Sequence, residues 1–578
     1  MTLTSPRPAL RATDRRTGYA DTIVILGAVV LLWLIVRLAW GATVPFDPRN
    51  APTTISTDPA DLPYYAARSL LRMFIALGAS VLFTFVFAAA AARLPRARRV
   101  LLPALDILQS VPILGFLSIT ITGFIALFPG SEWGLESASI FAIFTSQAWN
   151  MAFAFYYSLV SQPRDLDEVS RNLRLSRWQR FWRVDVPSGM IPLVWNGMMS
   201  FGGGWFFLVA SEALSVNNHD YILPGIGAYV ATATAQSDLG RVALAIVAMI
   251  IMVVGVNIVF WRPLTAWAEK FRTEDTAAVT PVRSSVLTAL RRSRIPGWVG
   301  GRLRPVFDGA DRVMSVFGLA EYSLIRRPGR HRAENVVLVV IGTVAVAYGA
   351  MRVGLFIDHT AGWGQVVHCI ALGGLTFGRV VVLLIVSTVV WVPIGVWIGL
   401  NPRISRLAAP VIQVLASFPA NFLFPIATAV LVATGITLNS GGIVLMALGA
   451  QWYILFNVIA GASAIPTDLL EASRNLGLGR WLRWRRVILP GIFPSYVTGG
   501  ITAAGGAWNA SIVAEVVSYG SITLTASGLG AYIKQATGDG DGARILIGVL
   551  VMSAYVVGVN RIFWRPLYSL AQRRYSPA

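Results

Sequence analysis

Two stretches of this 578-residue chain carry the same charged and aromatic residues at the same spacing. Residues 168–187 read EVSRNLRLSRWQRFWRVDVP, residues 471–490 read EASRNLGLGRWLRWRRVILP, and 12 of the 20 positions are identical. Arginine and tryptophan side chains at this density suit a helix that lies on anionic lipid headgroups, or an element that docks onto a protein partner. Two copies in one chain favour paired docking onto a partner with two-fold symmetry.

Each stretch begins with two carboxylates three positions apart. In the first copy these are Asp165 and Glu168, just after Pro163, and the second copy repeats the three residues 303 positions later, at Pro466, Asp468 and Glu471. An aspartate at the helix N-cap and a glutamate three residues later satisfy free amides of the first turn and suit the positive end of the helix dipole. We expect a helix to begin after each proline, and a second short basic helix to follow and lead into the next apolar segment.

Charged residues within apolar segments are costly to bury and are therefore candidates for function. Arg72 and Glu212 lie near the same end of two apolar segments, and Arg379 and Glu515 repeat this arrangement. We expect the arginine to form an ion pair with the glutamate in each half. The alternative is four interfacial side chains that reach water separately.

The elements that must position these residues are membrane-spanning helices. The chain is 55% hydrophobic and 13% charged, with a mean hydropathy of +0.63, which is atypical of soluble globular domains. We predict an all-α integral membrane protein with about twelve transmembrane helices, because runs long enough to cross roughly 30 Å of hydrocarbon recur along the chain. Pro112, Pro419 and Pro425 should break or kink the third segment of each half. The apolar segments lie at 21–40, 70–92, 101–128, 137–160, 190–212 and 243–261, and at 334–354, 377–400, 408–434, 441–461, 493–515 and 545–564.

The formal net charge of +20 is explained by membrane topology rather than by nucleic-acid binding. With a cytoplasmic N-terminus, 38 of the 48 lysine and arginine residues fall in segments on the cytoplasmic side, as the positive-inside rule requires. Both termini are therefore predicted to be cytoplasmic, and the first apolar run to be an uncleaved anchor.

The chain is an internal duplication. Matching residues are 303 positions apart downstream and 307 apart upstream, so a four-residue difference lies between the third and fourth segments. Six crossings return the chain to its starting side, which makes the halves parallel repeats about an axis along the membrane normal. We predict a first half at 1–264, a basic cytoplasmic linker at 265–333 and a second half at 334–578, with the repeated loops at about 163–187 and 466–490.

The residues around Glu471, Ala472, Gly477 and Pro490 resemble the EAA loop of bacterial ABC importer permeases, and the resemblance covers most of both halves. The nitrate, sulfonate, taurine and bicarbonate type is the most similar. The features that indicate this type are Arg72 and Arg379, the segments 205–212 and 508–515, and the sequences GIGAY at 225–229 and GLGAY at 528–532.

This resemblance implies a type I importer permease fold, in which the two loops couple the membrane helices to two ATPase subunits and a binding protein outside the membrane delivers a small anion. It places the coupling role on Asp165, Glu168, Arg171, Leu173, Arg177, Trp178 and Pro187, and on Asp468, Glu471, Ala472, Arg474, Gly477, Arg480, Trp481 and Pro490. Arg72, Glu212, Arg379 and Glu515 become candidates for an outer gate or for the translocation path. Val169 and Arg174 depart from the loop pattern, so the two ATPase contacts should differ.

The sequence contains no P-loop for nucleotide binding. Its two lysines, Lys270 and Lys534, are not in a Gly-Lys-Ser/Thr motif, so no lysine is placed to reach nucleotide phosphates. We expect ATP and Mg²⁺ on a separate subunit and no cofactor on this chain. Cys369 is the only cysteine, which excludes an internal disulfide or cysteine-based metal site.

Two other classes of protein require residues that this sequence does not have. An ion-coupled secondary transporter with two parallel six-helix repeats needs a titratable or ion-coordinating group near mid-membrane, and no clear carboxylate or histidine lies mid-segment. A membrane-embedded enzyme needs clustered histidine, aspartate or cysteine residues, which the chain lacks.

Overall fold

The computed structural model describes residues 54–173, 175–216, 219–271, 284–293 and 332–575, with the isolated residues 21, 22, 25, 26, 29, 301, 302, 305 and 309. Most of the predicted first segment, Arg174 and much of the linker lie outside the described residues. The described part is nearly all helical, as the sequence predicts.

The first half is a series of helices interrupted by one hairpin. Its elements are α1 (Leu62–Arg93), α2 (Pro95–Ser110), α3 (Ile113–Leu127), α4 (Trp133–Val160), α5 (Arg164–Asn172), α6 (Arg177–Arg180), α7 (Val186–Glu212), β1 (Ala213–Val216), β2 (His219–Ile222), α8 (Ile226–Ala235), α9 (Leu239–Val256) and α10 (Arg262–Ala268). The short helix α11 (Ser285–Arg292) follows in the linker.

The second half repeats this order. Its elements are α12 (Arg332–Thr360), α13 (Trp363–Gly399), α14 (Pro402–Ser417), α15 (Phe424–Thr434), α16 (Leu438–Ser463), α17 (Thr467–Asn475), α18 (Arg480–Arg483), α19 (Leu489–Ala514), β3 (Val516–Tyr519), β4 (Ile522–Thr525), α20 (Leu529–Asp539), α21 (Gly542–Val559) and α22 (Arg565–Tyr575). A short 3₁₀ turn, Ala420–Leu423, precedes α15.

The element boundaries reproduce the duplication read from the sequence. The helices α2 and α14 start and end 307 positions apart, and α5 and α17 start and end 303 positions apart. The four extra residues of the first half lie where they are predicted: the connection after the third segment is longer, and α4 starts earlier than α16 in equivalent numbering. Both hairpins are antiparallel and have the same register, with Ala213 opposite Ile222 and Val516 opposite Thr525.

Several predicted membrane segments are recovered as long apolar helices. In the described part, seven stretches are long and apolar enough to cross a membrane: Pro59–Arg93, Arg177–Glu212, Leu239–Phe271, Trp363–Gly399, Leu438–Ser463, Arg480–Ala514 and Gly542–Ala571. The predicted segments at 137–160 and 334–354 are helical, as α4 and α12, but are not among these seven.

The third segment of each half is broken, as its prolines predict. The helix axis turns by 95° between α2 and α3, and by 85° between the end of α14 and the stretch Ala420–Thr434. Pro112 and Pro419 lie at these breaks because proline disfavours helical backbone at the preceding residue. Pro425 instead lies in the first turn of α15, where a missing amide costs nothing, so the kink predicted at Pro425 is wrong.

Contacts divide the chain into two compact units. The first contains residues 1–40, 161–195 and 255–325, and the second contains 41–160, 196–254 and 326–578. In the first unit α10 packs against α11, and Gln162 Nε2 donates to Ser188 Oγ at 2.5 Å.

The largest apolar core described in the second unit contains side chains from both halves. Leu117 and Ile121 of α3 belong to the same buried cluster as Trp508 and Ile512 of α19. Close van der Waals packing of such side chains stabilises the unit, because lipid is as apolar as the side chains and supplies no hydrophobic driving force between helices.

Candidate functional site

The first repeated loop begins where the sequence predicts, but its cap differs. Helix α5 starts directly after Pro163, which occupies the N-cap with no side-chain cap hydrogen bond, and Asp165 lies in the first turn. The second copy is the same, with Pro466 at the N-cap and Asp468 in the first turn. The assignment of the two aspartates to the N-cap is therefore wrong, although their charges still lie at the positive end of the helix dipole.

The short basic helix of each loop is not separate from the apolar helix that follows. Helix α6 continues through a π-helical segment, Phe181–Asp185, into α7, and α18 continues through Trp484–Ile488 into α19. Single π-helical turns are rare and often occur at functional sites. The prolines at 187 and 490 lie within the first turn of α7 and α19, where proline does not break a helix.

A capping box at the start of α6 was missed in the sequence. Ser176 Oγ accepts from the Gln179 amide, and Gln179 Oε1 accepts from the Ser176 amide. The spacing Ser-x-x-Gln is a recognised signature of a helix start and could have located α6. The equivalent position in the second copy is Gly479, which makes no side-chain cap.

Most of the predicted coupling residues are exposed. In the first copy these are Asp165, Glu168, Arg171, Leu173 and Arg177, while Trp178 and Pro187 are half-buried. In the second copy they are Asp468, Glu471, Ala472, Arg474, Gly477, Arg480 and Trp481, while Pro490 is half-buried. Gly477 has a φ of +64°, a left-handed conformation that glycine adopts without a steric penalty at the end of a helix.

The two loops are braced differently. Buried Arg180 forms an ion pair with Asp167 and lies 3.7 Å, from Nε to Oδ1, from Asp185, which is also buried. The equivalent aspartate positions in the second copy are Leu470 and Ile488, which pack on the apolar core. Ion pairs thus stabilise the first loop where apolar packing stabilises the second, and this difference was not predicted from the sequence.

Replacing Arg180 with methionine is expected to destabilise the first loop by about 1–3 kcal/mol, because the buried Asp185 would lose the guanidinium beside it. The matched variant Arg483→Met should cost less than about 1 kcal/mol, because no ion pair of Arg483 occurs among the described residues. Hydrogen exchange of the amides in 161–190 and 464–493 measures both effects. Equal loss of protection in the two variants would contradict the ionic brace.

The predicted ion pairs are present in the second unit. Arg72 Nη1 lies 2.7 Å from Glu212 Oε1, and Arg379 Nη1 lies 2.7 Å from Glu515 Oε1. Both glutamate side chains are 0% exposed, and Arg72 is 2% exposed. The alternative of side chains reaching separately to interfacial water is therefore wrong.

Each buried glutamate holds three elements together. Glu212 Oε1 accepts from Ser69 Oγ of α1 at 2.6 Å, and Glu212 Oε2 accepts from the Gly227 amide of α8 at 2.7 Å. In the second half, Glu515 accepts from Thr376 Oγ1 at 2.8 Å and from the Ala531 amide at 3.1 Å. The carboxylate thus ties the end of the fifth segment to the second segment and to the short helix after the hairpin.

Glycines make room for both carboxylates. A Cβ added at Gly225 would overlap the Glu212 carboxylate, and a Cβ at Gly528 would overlap that of Glu515. The first glycine of GIGAY and of GLGAY is therefore required by close approach and not by an unusual φ. This role could be predicted only from the structure.

A second carboxylate distinguishes the first half. Glu136 of α4 lies 2.6 Å from Arg72 Nε and also pairs with Arg68. The residues equivalent to Glu136 and Arg68 are Asn439 and Leu375, and Asn439 Oδ1 accepts from Arg379 Nη2 at 2.9 Å. Glu136, Arg68 and the hydroxyls of Ser69 and Thr376 were not among the residues predicted from the sequence, although the 303 and 307 offsets align each with its counterpart.

Contacts between the halves also occur within the second unit. Asn509 Oδ1 of α19 accepts from the Ile113 amide at 3.0 Å, and Asn421 Nδ2 donates to the Phe206 carbonyl at 3.3 Å. Tyr519 OH donates to the Ser237 carbonyl at 3.2 Å, so the hairpin of the second half contacts the first half. Gly202 approaches Ser417 so closely that a Cβ would lie 2.8 Å from its Oγ, which indicates a packing role for this glycine.

Comparison with known proteins gives a family match in both halves. The chain matches the family described as binding-protein-dependent transport system inner membrane component over residues 80–262 and 391–564, more than half of its length. The match occurs once in each half, in agreement with the duplication.

Individual proteins that match this chain are distant relatives, with 25–26% identity. The chain is 25% identical over 274 residues to the glycine betaine/proline betaine transport system permease protein ProW of Escherichia coli, covering 45% of this chain and 72% of the relative. It is 26% identical over 184 residues to the nitrate import permease protein NrtB of Leptolyngbya laminosa, covering 32% and 62%. It is 26% identical over 177 residues to the bicarbonate transport system permease protein CmpB of Synechococcus elongatus, covering 30% and 60%.

Proposed function

The chain belongs to the family of binding-protein-dependent transport system inner membrane components, and we propose that it is the fused permease subunit of an ATP-driven importer for a small anion. It is a multi-pass inner-membrane transport component, and the duplicated match shows that one chain contains both permease halves. The ATPase partnership, the substrate and the orientation of the termini are the parts that we propose.

The paired loops carry this proposal. Each loop exposes apolar side chains beside its charges: Leu173 is 65% exposed, Leu476 is 76% exposed and Trp481 is 73% exposed. Exposed apolar groups ringed by polar ones are typical of protein interaction sites. We assign one ATPase subunit to each loop.

The helices suit the transmission of movement from the ATPase to the membrane. Because α18 runs through its π-helical segment into α19 without a break, displacement of the second loop must displace the fifth segment. The far end of α19 is tied to α13 and α20 through Glu515. Closure of an ATP-bound ATPase dimer would thus reach the outer gate through one continuous helix in each half.

The ATPase would hold ATP and Mg²⁺, and this chain would bind no cofactor. A binding protein outside the membrane would deliver the substrate, and both termini and the 265–333 linker would lie on the ATPase side. A nitrate-, sulfonate- or bicarbonate-like anion is proposed because two of the relatives are named for nitrate and bicarbonate. The relative named for glycine betaine makes a zwitterion the competing substrate class.

The test is capture of the ATPase by the tagged chain from native membranes. The double variant Glu168→Ala with Glu471→Ala should reduce capture about tenfold or more, since truncating central interface residues commonly costs 2 kcal/mol or more. Asp539→Ala is the matched control, because this carboxylate is exposed and lies outside the loops. We expect it to capture the ATPase as the unmodified chain does.

Absence of any captured ATPase, together with uptake that follows an ion gradient, would overturn the proposal. The ion-coupled secondary transporter would then be the better interpretation. Capture that is equal in the double variant and in the control would place the ATPase contact outside these carboxylates.

A further inference from the structure

Lys534 is a cation without an acidic partner, among the described residues, at a position where the two halves meet. It is one of two lysines among 48 basic residues. The residue is exposed on α20, and partial burial of its ammonium lowers the pKa of Lys534 to about 8. Its Nζ donates to the Val516 carbonyl at 2.8 Å. In the part of the chain that the structure describes, no carboxylate lies within ion-pair distance of this ammonium, and two of its three protons remain available.

The arginines described on the neighbouring elements are neutralised. Arg68 and Arg72 pair with Glu136, Arg379 pairs with Glu515, Arg241 pairs with Asp238, and Arg544 pairs with Asp539. Each of these arginines therefore has a carboxylate partner, whereas the ammonium of Lys534 has none among the described residues.

The position of Lys534 is set by the exchange of hairpins between the halves. Helix α20 packs against β1 of the first half, against β3 of its own half and against α3. The turn of the second hairpin reaches the end of α8 in return, where the Gly520 amide donates to the Thr234 carbonyl at 3.0 Å. Val516, the acceptor for Lys534, directly follows the glutamate that ends the fifth segment.

The lysine breaks the symmetry of the duplication. The equivalent residue of the first half, at the 303 offset, is Ala231. A structural requirement of the repeated hairpin and helix would apply to both halves, whereas the first half forms the same elements without a cation. The charge is therefore present only in the second half, on the helix that packs against the first half.

We infer that Lys534 is a binding contact for a small anion at the outer entrance of the translocation path. The inference rests on the proposed function, which places this end of the fifth segments outside the membrane and opposite the loops. An ammonium with free protons attracts and hydrogen-bonds an oxyanion such as nitrate or bicarbonate. It does not favour a zwitterion that carries its own cation.

Uptake by the complete complex in proteoliposomes tests the contact, with nitrate, bicarbonate and glycine betaine as probes. Lys534→Met should raise the KM for the transported anion about tenfold, as the loss of one close charge contact predicts, with kcat little changed. Lys534→Arg should retain a KM close to that of the unmodified chain. The rise of KM with added salt should also weaken in Lys534→Met, because salt screens an exposed charge.

A cysteine variant gives a readout that does not depend on the substrate. Cys369 is buried, so Lys534→Cys in a Cys369→Ala background provides one reactive thiol, and Ala231→Cys is the matched control. An aminoethyl methanethiosulfonate reagent applied from outside should restore an ammonium at 534 and lower the KM again. A sulfonatoethyl reagent should instead raise it, and neither reagent should change the KM through position 231.

The outcomes separate the inference from the proposed function. Anion uptake with an unchanged KM in Lys534→Met would overturn the inference and leave the function in place, as would an equal rise of KM for a zwitterion. Uptake of glycine betaine alone would overturn the anion assignment and the inference together. With no ATP-driven uptake at all the proposed function fails. If the external reagents do not reach the thiol of the Lys534→Cys variant, the inference is overturned independently.

Discussion

Arg72→Met is expected to lower the free energy of unfolding by about 3–5 kcal/mol, since it leaves the buried Glu212 without a cationic partner and Glu136 with Arg68 alone. Arg72 contacts Glu136 through Nε and Nη2 and Glu212 through Nη1. Glu212 is fully buried, so water cannot replace the lost guanidinium. Thermal unfolding of the detergent-solubilised chain, followed by size-exclusion chromatography, measures the loss.

The second half provides the matched comparison. Arg379→Met removes a contact to one carboxylate, Glu515, whereas Arg72→Met removes contacts to two, Glu136 and Glu212. We therefore expect a smaller loss than for Arg72→Met. If Arg72→Ala and Arg379→Ala left both protein level and uptake unchanged, the outer-gate role of these pairs would be wrong.

Exchange of residues between the halves tests whether the Arg68–Glu136 ion pair can be removed without loss of the Arg72–Glu212 pair. Arg68→Leu with Glu136→Asn introduces the residues that the second half has at these positions, Leu375 and Asn439. Buried ion pairs are often replaced by neutral residues at little cost when both partners change together. Glu132 would also lose Arg68, which lies 3.6 Å away, so we expect a loss of about 1–2 kcal/mol. A loss as large as that of Arg72→Met would show that the network acts as one unit.

Gly528→Ala is expected to have the second large effect, a destabilisation of about 3 kcal/mol or more, because its Cβ would expel the Glu515 carboxylate from its buried ion pair. Gly225→Ala should act in the same way on Glu212. The melting temperature and the proposed ATP-driven uptake should both fall, since the fifth segment, the second segment and the short helix are joined through this one carboxylate.

Gly505→Ala is the control for this prediction. Gly505 lies in α19, and a Cβ there would meet no atom within 4 Å. Alanine is favoured over glycine inside a helix by roughly 0.5–1 kcal/mol, so this variant should be as stable as the unmodified chain or slightly more stable. The double variant Gly528→Ala with Glu515→Ala should then show non-additivity, because the overlap is removed with the carboxylate. Simple additivity would contradict the proposed clash.

The differences between the halves share one physical pattern. The first half pairs Arg180 with two aspartates and Arg68 with Glu136, whereas the second half has apolar or amide residues at the positions of these acidic groups. Lys534 is the reverse case, a charge in the second half opposite Ala231. A fused chain allows this divergence because its two halves are always present in equal number and fixed order. The proposed partners would therefore meet two related but unequal surfaces.

The sequence alone determined the features that repeat or that depend on local backbone chemistry. The duplication, the helix starts after Pro163 and Pro466, and the breaks at Pro112 and Pro419 all follow from spacing and from the restricted backbone of proline. The two arginine–glutamate pairs were also predictable, because costly charges within apolar segments need partners and each half has one arginine and one glutamate at equivalent positions.

Tertiary structure decided which additional residues meet. Three features depend on contacts between residues far apart in the sequence. Glu136 pairs with Arg72, Asn509 accepts a hydrogen bond from the Ile113 amide, and Lys534 has no carboxylate partner in the described part of the chain. Helical periodicity specifies which face of a helix is apolar but not which neighbour faces it. The local sequence also does not specify the exchange of hairpins between the halves, since the hairpin of one repeat could pack within its own half or against the other half. Packing at the junction, through residues such as Gly520 and Thr234, selects the contact across the halves.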